Sequence, residues 1–245
     1  MTAQRRPRTA TVESLGAECD TCSNRFACLA GHLEDTDRRA LDARILRGRP
    51  LGKGEDAFAQ DDTFEYLYLV RSGLMESFHT DSKGQATVTG FHLPGDILGL
   101  DAIAQGLHTE TARALDTTSI CALPFTAALS GRVGSLYAEL LRAMSQRIAR
   151  NGTRHRLFSR RSALYRIAHF LAELYTRTPG SAASASTATF RIPKRDLANF
   201  LGLAPETLSR GLARLHEMEL VEVSKRGFKV QDPQGLERMT REELE

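Results

Sequence analysis

Long apolar runs are scarce in this 245-residue chain, and it holds neither internal repeats nor extended low-complexity tracts. Its first residues, MTAQRRPRTATVES, contain no apolar stretch of the kind a signal peptide or a membrane span requires. The expected location is the cytoplasm, with no membrane partner. Cysteine is scarce too, with four residues in all. Thiols in a reducing compartment more often bind metal or react than form structural disulfides. A large excess of one charge is also lacking: 33 Lys and Arg against 30 Asp and Glu leave +3, so the total says little about partners. The marks of an enzyme are thin. No glycine-rich phosphate loop of the Walker kind is present. His32, His79, His92, His108, His155, His169 and His216 form no metal pair or catalytic constellation, so each is expected to be an ordinary surface or packing histidine.

What the chain does contain is organised in blocks. The length suits one or two domains, with two the better expectation. Residues 50 to 126 read as many short strands broken by Gly, Pro and Asp, which predicts a small antiparallel β-roll or barrel. From 135 to 159 the period turns helical. Tyr137, Leu141, Met144, Ile148, Asn151, His155 and Phe158 recur at alternating steps of four and three, the spacing of a heptad seam. A second helical stretch, ALYRIAHFLAELYTR, ends near Pro179, and GSAASASTAT has the composition of a flexible loop.

In IPKRDLANFLGLAPETLSRGLARLHEMEL, a short helix from about Lys194 reaches Gly202, and a second begins near Pro205, a position where proline loses no hydrogen bond. Leu208, Leu212 and Leu215 form one inward stripe of that second helix, while Glu206, Ser209, Arg210 and Ala213 share another face. Such a face suits the major groove: Arg can donate twice to a guanine edge, Glu can accept from a cytosine amino group, and Ser209 can serve base or phosphate. Ala204 precedes the helix where Ser or Thr would cap it, a loss of roughly 1 kcal/mol. The following LVEVSKRGFKV reads as a hairpin with Lys225 and Arg226 at its tip, suited to backbone phosphate. A plain amphipathic helix pair with a solvated face is the bland alternative.

Three of the four cysteines fall in AECDTCSNRFACLAGH. Cys19, Cys22 and Cys28 are spaced C-x2-C-x5-C among small or polar residues, which are not expected core positions, and Cys121 follows 92 residues later in a predicted strand, TTSICALPF. Four soft thiolates select zinc or an iron–sulfur centre over magnesium or calcium, and either would tie the N-terminal segment to the roll. The count alone leaves zinc, iron–sulfur, core cysteines and a redox disulfide open. Neither ferredoxin spacing is present. An iron–sulfur enzyme is disfavoured, because a dehydratase commonly leaves one iron without a thiolate and no C-x3-C-x2-C run suggests radical chemistry.

The glycine turn, the Glu-Thr-Leu-Ser-Arg run and the basic hairpin resemble the C-terminal domain of the CRP/FNR superfamily of bacterial transcription regulators. FHLPGDILGLDAIAQGLHTETARAL is similar to the β-roll cassette that holds cyclic AMP in nucleotide-responsive members. Their phosphate-binding Arg-Ser pair falls here on Glu110 and Thr111, so a cyclic nucleotide would meet a carboxylate. The roll is therefore expected as a retained scaffold without that ligand. The cysteine pattern is similar to the fumarate and nitrate reduction regulator (FNR) branch, including proteins called Anr.

This resemblance covers nearly the whole chain. It implies an α+β fold: an N-terminal β-roll, cyclic-nucleotide-binding-like, a long dimerisation helix and a C-terminal winged helix-turn-helix. The boundaries it suggests are 1–33 for the cysteine-rich segment, 34–134 for the roll, 135–160 for the helix, 161–234 for the DNA-binding domain and 235–245 for a tail. It implies Cys19, Cys22, Cys28 and Cys121 as ligands of a [4Fe-4S] cluster, and Glu206, Ser209 and Arg210 as base contacts. It also implies a homodimer through Leu141, Met144, Ile148 and Asn151, and an RNA polymerase contact at Gly84 and Gln85. The function implied is a transcription regulator that binds palindromic DNA with TTGAT-like half-sites when its cluster is intact, and loses the dimer as dioxygen degrades the cluster toward [2Fe-2S] and apo forms. A zinc-stabilised or cyclic-nucleotide-responsive regulator is the closer rival.

Two features of the helix bear on switching. Asn151 is polar at an inward position and Gly152 costs roughly 1 kcal/mol relative to Ala, so the interface is not built for maximal stability. Arg142, Arg147, Arg150, Arg154, Arg156, Arg160 and Arg161 run through it with no acidic residue among them, which predicts either a solvated basic face or repulsion between paired helices.

Overall fold

The computed structural model describes residues 18–126, 134–160, 162–178, 189–224 and 227–242, with the backbone alone at 134, 156–160 and 242. These residues form two compact units that divide after Arg147.

In the first unit, three 3-10 turns, Cys19–Thr21, Arg25–Ala27 and Leu29–His32, lead into helix α1, Asp35–Asp42. Eight strands follow: β1 Leu46–Arg47, β2 Asp56–Phe58, β3 Tyr66–Ser72, β4 Met75–Thr80, β5 Ala86–His92, β6 Ile97–Leu98, β7 Thr111–Ala114 and β8 Ser119–Pro124. They pair antiparallel in two four-stranded sheets, ordered β1-β8-β3-β6 and β2-β7-β4-β5. Strand parity splits the buried residues into two cores. Tyr68 and Val70 of β3 point between the sheets, where Phe58, Met75 and Ile120 join them. Leu67 and Leu69 point the other way, to a core shared with Leu41, Ile45, Leu136 and Leu140.

That second core is where the N-terminal segment and the long helix meet the roll. Helix α2, Gly134–Arg160, supplies Leu136 and Leu140, whose burial contributes roughly 1.5–3 kcal/mol each. The 3-10 turns supply Leu29, Ala30 and Leu33. Polar contacts fix the same junction: the Ser135 hydroxyl donates to Asp37, and Glu139 Oε2 lies 3.1 Å from His32 Nδ1. On the opposite face of α2, Tyr137, Leu141 and Ile148 are 37%, 67% and 70% exposed and form an apolar stripe. The turn between β5 and β6 presses on the cysteine segment so closely that a Cβ on Gly95 would lie 2.3 Å from the Ala27 carbonyl oxygen. With φ at +101, only glycine fits there.

The second unit holds helix α3, Ala163–Thr176, capped by the Ser162 hydroxyl, which accepts from Tyr165 N at 3.2 Å. Helices α4, Lys194–Leu201, and α5, Pro205–Glu217, form the helix-turn-helix. Gly202 makes the turn between them in the left-handed conformation, φ 61 and ψ 42. The wing pairs β10, Val221–Ser224, with β11, Gly227–Val230, and β9, Thr189–Phe190, completes the sheet. Lys225 and Arg226 lie outside the described residues, as does most of the GSAASASTAT loop. Residues set apart from 235 as a tail begin inside a helix, α6, Pro233–Glu242. Leu236 is fully buried there, and Tyr165 donates its hydroxyl to the Thr240 carbonyl at 3.0 Å. One buried leucine among charged residues is too sparse a pattern to announce a helix.

Candidate functional site

The four thiols come from separate elements. Cys19 opens the first 3-10 turn, Cys22 ends it, and Cys28 joins the second turn to the third. Cys121 lies on β8, where Ile120 and Ala122 point between the sheets. By alternation Cys121 points outward, toward the cysteine segment. All four line one cavity, an empty space of about 420 Å³ that is partly open to solvent. Ala30, Ile45 and Leu69 supply apolar wall; Arg25, Arg47, Arg71 and Asn24 supply donors.

The thiols are less peripheral than their polar neighbours in sequence suggest. Cys19 is 8% exposed and belongs to the apolar core, and Cys28 and Cys121 pack against it. All four are free. Burial pushes the Cys19 thiol up to about 12, with Asp42 adding to the rise and Arg47 opposing it. Burial likewise pushes Cys28 up to about 11 and raises Cys121, the latter against the pull of Arg47 and Arg71. Without a metal these three are neutral, unreactive thiols at pH 7, and a thiophilic cation would have to displace their protons.

Asn24 Nδ2 and Arg25 Nε, both buried, have no hydrogen-bond partner. Unpaired buried donors are costly, and these belong to residues lining a cavity that also holds sulfur ligands, so an acceptor-rich guest suits it. Among the described residues, no group of three or more His, Cys, Asp or Glu is placed to hold a metal ion. The donor chemistry is that of a soft-metal site, with the thiols spread around a cavity rather than gathered on one ion.

Three residues that no sequence motif marks, Arg38, Asp42 and Arg47, hold this arrangement. Arg38, 5% exposed, reaches Asp20 through Nε at 2.5 Å and the Leu33 carbonyl through Nη1 at 3.1 Å, which ties both ends of the cysteine loop to α1. Arg47 pairs with Asp42 and sets Nη2 3.4 Å from Cys19 Sγ. Asp42 in turn accepts from Cys19 N at 3.1 Å. Nothing in the spacing of these residues marks them, because the contacts depend on how the cysteine turns pack against α1 and β1.

Glu110 and Thr111, where nucleotide-binding rolls carry Arg and Ser, are committed to internal contacts. Glu110 Oε2 lies 3.3 Å from Arg147 Nη2, and Thr111 Oγ1 accepts from Gln60 N at 3.0 Å. Three of the arginines of α2 are thus engaged within the chain. Arg142 meets Glu139 at 2.6 Å, Arg147 meets Glu110, and Arg154 stacks over Phe200 at 4.8 Å. The side chains of Arg156, Phe158 and Arg160, and all of Arg161, lie outside the described residues. Along the expected seam, Leu141, Ile148, Asn151 and His155 are exposed and Met144 is half-buried.

In the second unit, Leu208, Leu212 and Leu215 are buried, while Glu206, Ser209, Arg210 and Ala213 are exposed on α5. Ala204 makes no side-chain cap, and Pro205 occupies the first turn. Arg166 Nη1 donates to the Leu201 carbonyl at 3.1 Å, so α3 satisfies the end of α4 and holds the turn that aims α5. Gly84 and Gln85 sit exposed at the β4–β5 hairpin tip, where Asp81 Oδ1 accepts from Gln85 N at 2.8 Å. No helix among the described residues is long and apolar enough to cross a membrane.

Residues 49–130 match the cyclic nucleotide-binding domain family, and residues 165–239 match the Crp-like helix-turn-helix domain family. The chain is 39% identical over 224 residues to the transcriptional activator protein FnrA of Stutzerimonas stutzeri, covering 90% of this chain and 91% of that one. It is 37% identical to the transcriptional activator protein Anr of Pseudomonas aeruginosa, over 84% and 85% of the two chains. It is 33% identical to the anaerobic regulatory protein of Haemophilus influenzae, over 91% and 87%. Among solved structures, FixK2 from Bradyrhizobium japonicum superposes with a TM-score of 0.67 at 27% identity, covering 77% of this chain and 94% of that one. These relatives are transcription regulators rather than enzymes, and with a nucleotide-binding-like roll, a long helix and a Crp-like DNA-binding domain in one order, this chain belongs to their CRP/FNR family.

Proposed function

We propose that this chain is an oxygen-responsive transcription regulator in which Cys19, Cys22, Cys28 and Cys121 hold a [4Fe-4S] cluster that keeps the DNA-binding homodimer assembled. The observation that carries the proposal is the convergence of thiols from two distant stretches on one cavity, in a core shared with the dimer helix. The names of the FNR, Anr and anaerobic-regulator relatives agree with it. Four thiolates, two unpaired donors and three guanidinium groups suit an anionic, sulfur-rich guest, and thiols spread around a cavity suit a body of several irons better than a single zinc. When bound, the cluster supplies an oxygen-labile link between the N-terminal segment and β8.

The chain's own residues carry that link to the helix. With the segment held, Leu29, Ala30 and Leu33 stay packed on Leu136 and Leu140, and His32 stays on Glu139. This fixes the rotation of α2 and presents Tyr137, Leu141, Met144, Ile148 and Asn151 to a second copy as a seam. A released segment withdraws its part of the core and loosens the seam. Two paired subunits set two α5 helices at half-sites one DNA turn apart, about 34–36 Å. Glu206, Ser209 and Arg210 read the bases of inverted TTGAT-like halves, and Gly84 and Gln85 offer the RNA polymerase contact.

The experiment is anaerobic reconstitution of the full chain with iron and sulfide, followed by metal analysis and gel shift on a palindromic operator before and after air. Iron and labile sulfide in equal amounts, with binding that air abolishes, are expected. One zinc per chain with binding indifferent to air would establish the zinc-stabilised regulator instead.

A further inference from the structure

Arg47 stands where the two sulfur-bearing stretches meet. It is the second residue of β1, and β1 pairs with β8 so that Arg47 lies directly across from Cys121. Leu69 flanks Cys121 on its other side. From there the guanidinium reaches back to the N-terminal segment: Nη2 pairs with the Asp42 carboxylate and lies 3.4 Å from Cys19 Sγ. Asp42 completes a ring by accepting from the Cys19 backbone at 3.1 Å. The Arg47 side chain is 15% exposed, so its charge is little screened by water. A surface arginine pairing with whatever lies near would contribute little. This one is held between a strand cysteine and a loop cysteine by a partner that also holds the loop.

We propose that Arg47 is a positioning residue for the sulfur-donor set: through Asp42 it holds Cys19 opposite Cys121, and it sets its positive charge beside the anionic guest those donors hold. The proposal rests on the cluster assignment above. Charge-assisted hydrogen bonds are the strong ones, and residues that orient ligands in this way typically change metal affinity 10–100-fold. Arg71 also lines the cavity, so removing Arg47 weakens the site without emptying it of positive charge.

The test uses full-length wild type, Arg47→Ala and Arg47→Lys, reconstituted anaerobically with ferrous iron and sulfide over a range of iron concentration. Wild type is expected to load fully. Arg47→Ala is expected to need roughly 10–100-fold more iron for half loading. Its loaded form is expected to show a reduction potential more negative than wild type, because removing a cation disfavours the added electron. Arg47→Lys, which keeps the charge, is expected to recover most of the affinity and nearly all of the potential. Thermal unfolding of the metal-free proteins checks that each is folded, and Arg47→Lys serves as the test if Arg47→Ala is not. Wild type that takes up no iron and sulfide overturns the cluster assignment. Wild type that loads, with both variants loading equally well at an unchanged potential, overturns the role of Arg47 alone. Equal losses in the Ala and Lys variants would overturn the part assigned to its charge.

Discussion

On α5, Glu206, Ser209 and Arg210 stand in solvent while Leu208, Leu212 and Leu215 fill the core behind them, so the proposed base contacts and the buried residues belong to opposite faces of one element. At the cysteine cavity the division is absent. Cys19 belongs to the same core as Leu136 and Leu140, and Cys28 and Cys121 pack against it. The contrast teaches what each region is free to do. A base-reading face can change its affinity without disturbing the fold, which suits specificity. The proposed ligands share a core with α2, so filling or emptying their site would change its packing, which suits the proposed switch.

Replacing a sulfur donor should break the comparison most completely. Cys121→Ser is expected to abolish cluster loading and reduce anaerobic operator binding to the level of air-treated wild type, while the second unit keeps its thermal transition; iron analysis and calorimetry on one preparation check both. Next in size are two core truncations. Leu136→Ala and Leu212→Ala are each expected to cost roughly 2–5 kcal/mol in denaturant unfolding. Only Leu136→Ala should also weaken iron uptake and dimerisation, since Leu212 lies in the unit that holds no thiol. Arg210→Ala is expected to lose about 1–3 kcal/mol of operator binding and to relax preference at one base position, with no change in melting temperature.

Smaller effects sharpen the same contrast. Ala204→Ser adds the missing cap at α5, with an expected gain of about 1 kcal/mol in the second unit, visible as a higher melting temperature and unchanged metal loading. In the first unit, His108 is 2% exposed, stacks on Phe58 at 3.7 Å, and leaves Nδ1 without a hydrogen-bond partner. Burial holds its pKa below the ordinary value, although Asp101 at 4.0 Å and Asp62 pull upward. The unfolded imidazole therefore binds a proton that the folded one refuses, so the first unit should lose stability as pH falls through the unfolded value near 6.5. His108→Gln is expected to flatten that slope in urea titrations between about pH 5 and 7.

Legibility in the sequence followed locality. The helix-turn-helix could be read because its devices are adjacent in the chain: Gly202 for the turn, Pro205 at the start, leucines at 208, 212 and 215. The four cysteines could be picked out by their scarcity and spacing. That they meet depends on strand parity at Cys121 and on the pairing of β1 with β8, and periodicity does not fix register between distant strands. The place of Arg47 beside Cys121 was hidden for that reason, and those of Asp42, Asn24 and Arg38 because no periodicity fixes how the cysteine turns pack on α1. Among the arginines of α2, the partner of Arg147 could not be read from the run itself, because Glu110 lies on another element.

The most direct test is sedimentation of one anaerobically loaded, full-length preparation, measured before and after exposure to air at the same protein concentration. A dimer containing iron and sulfide that becomes monomer as both are lost is the expected result. An association constant that stays the same after the iron has gone would contradict it.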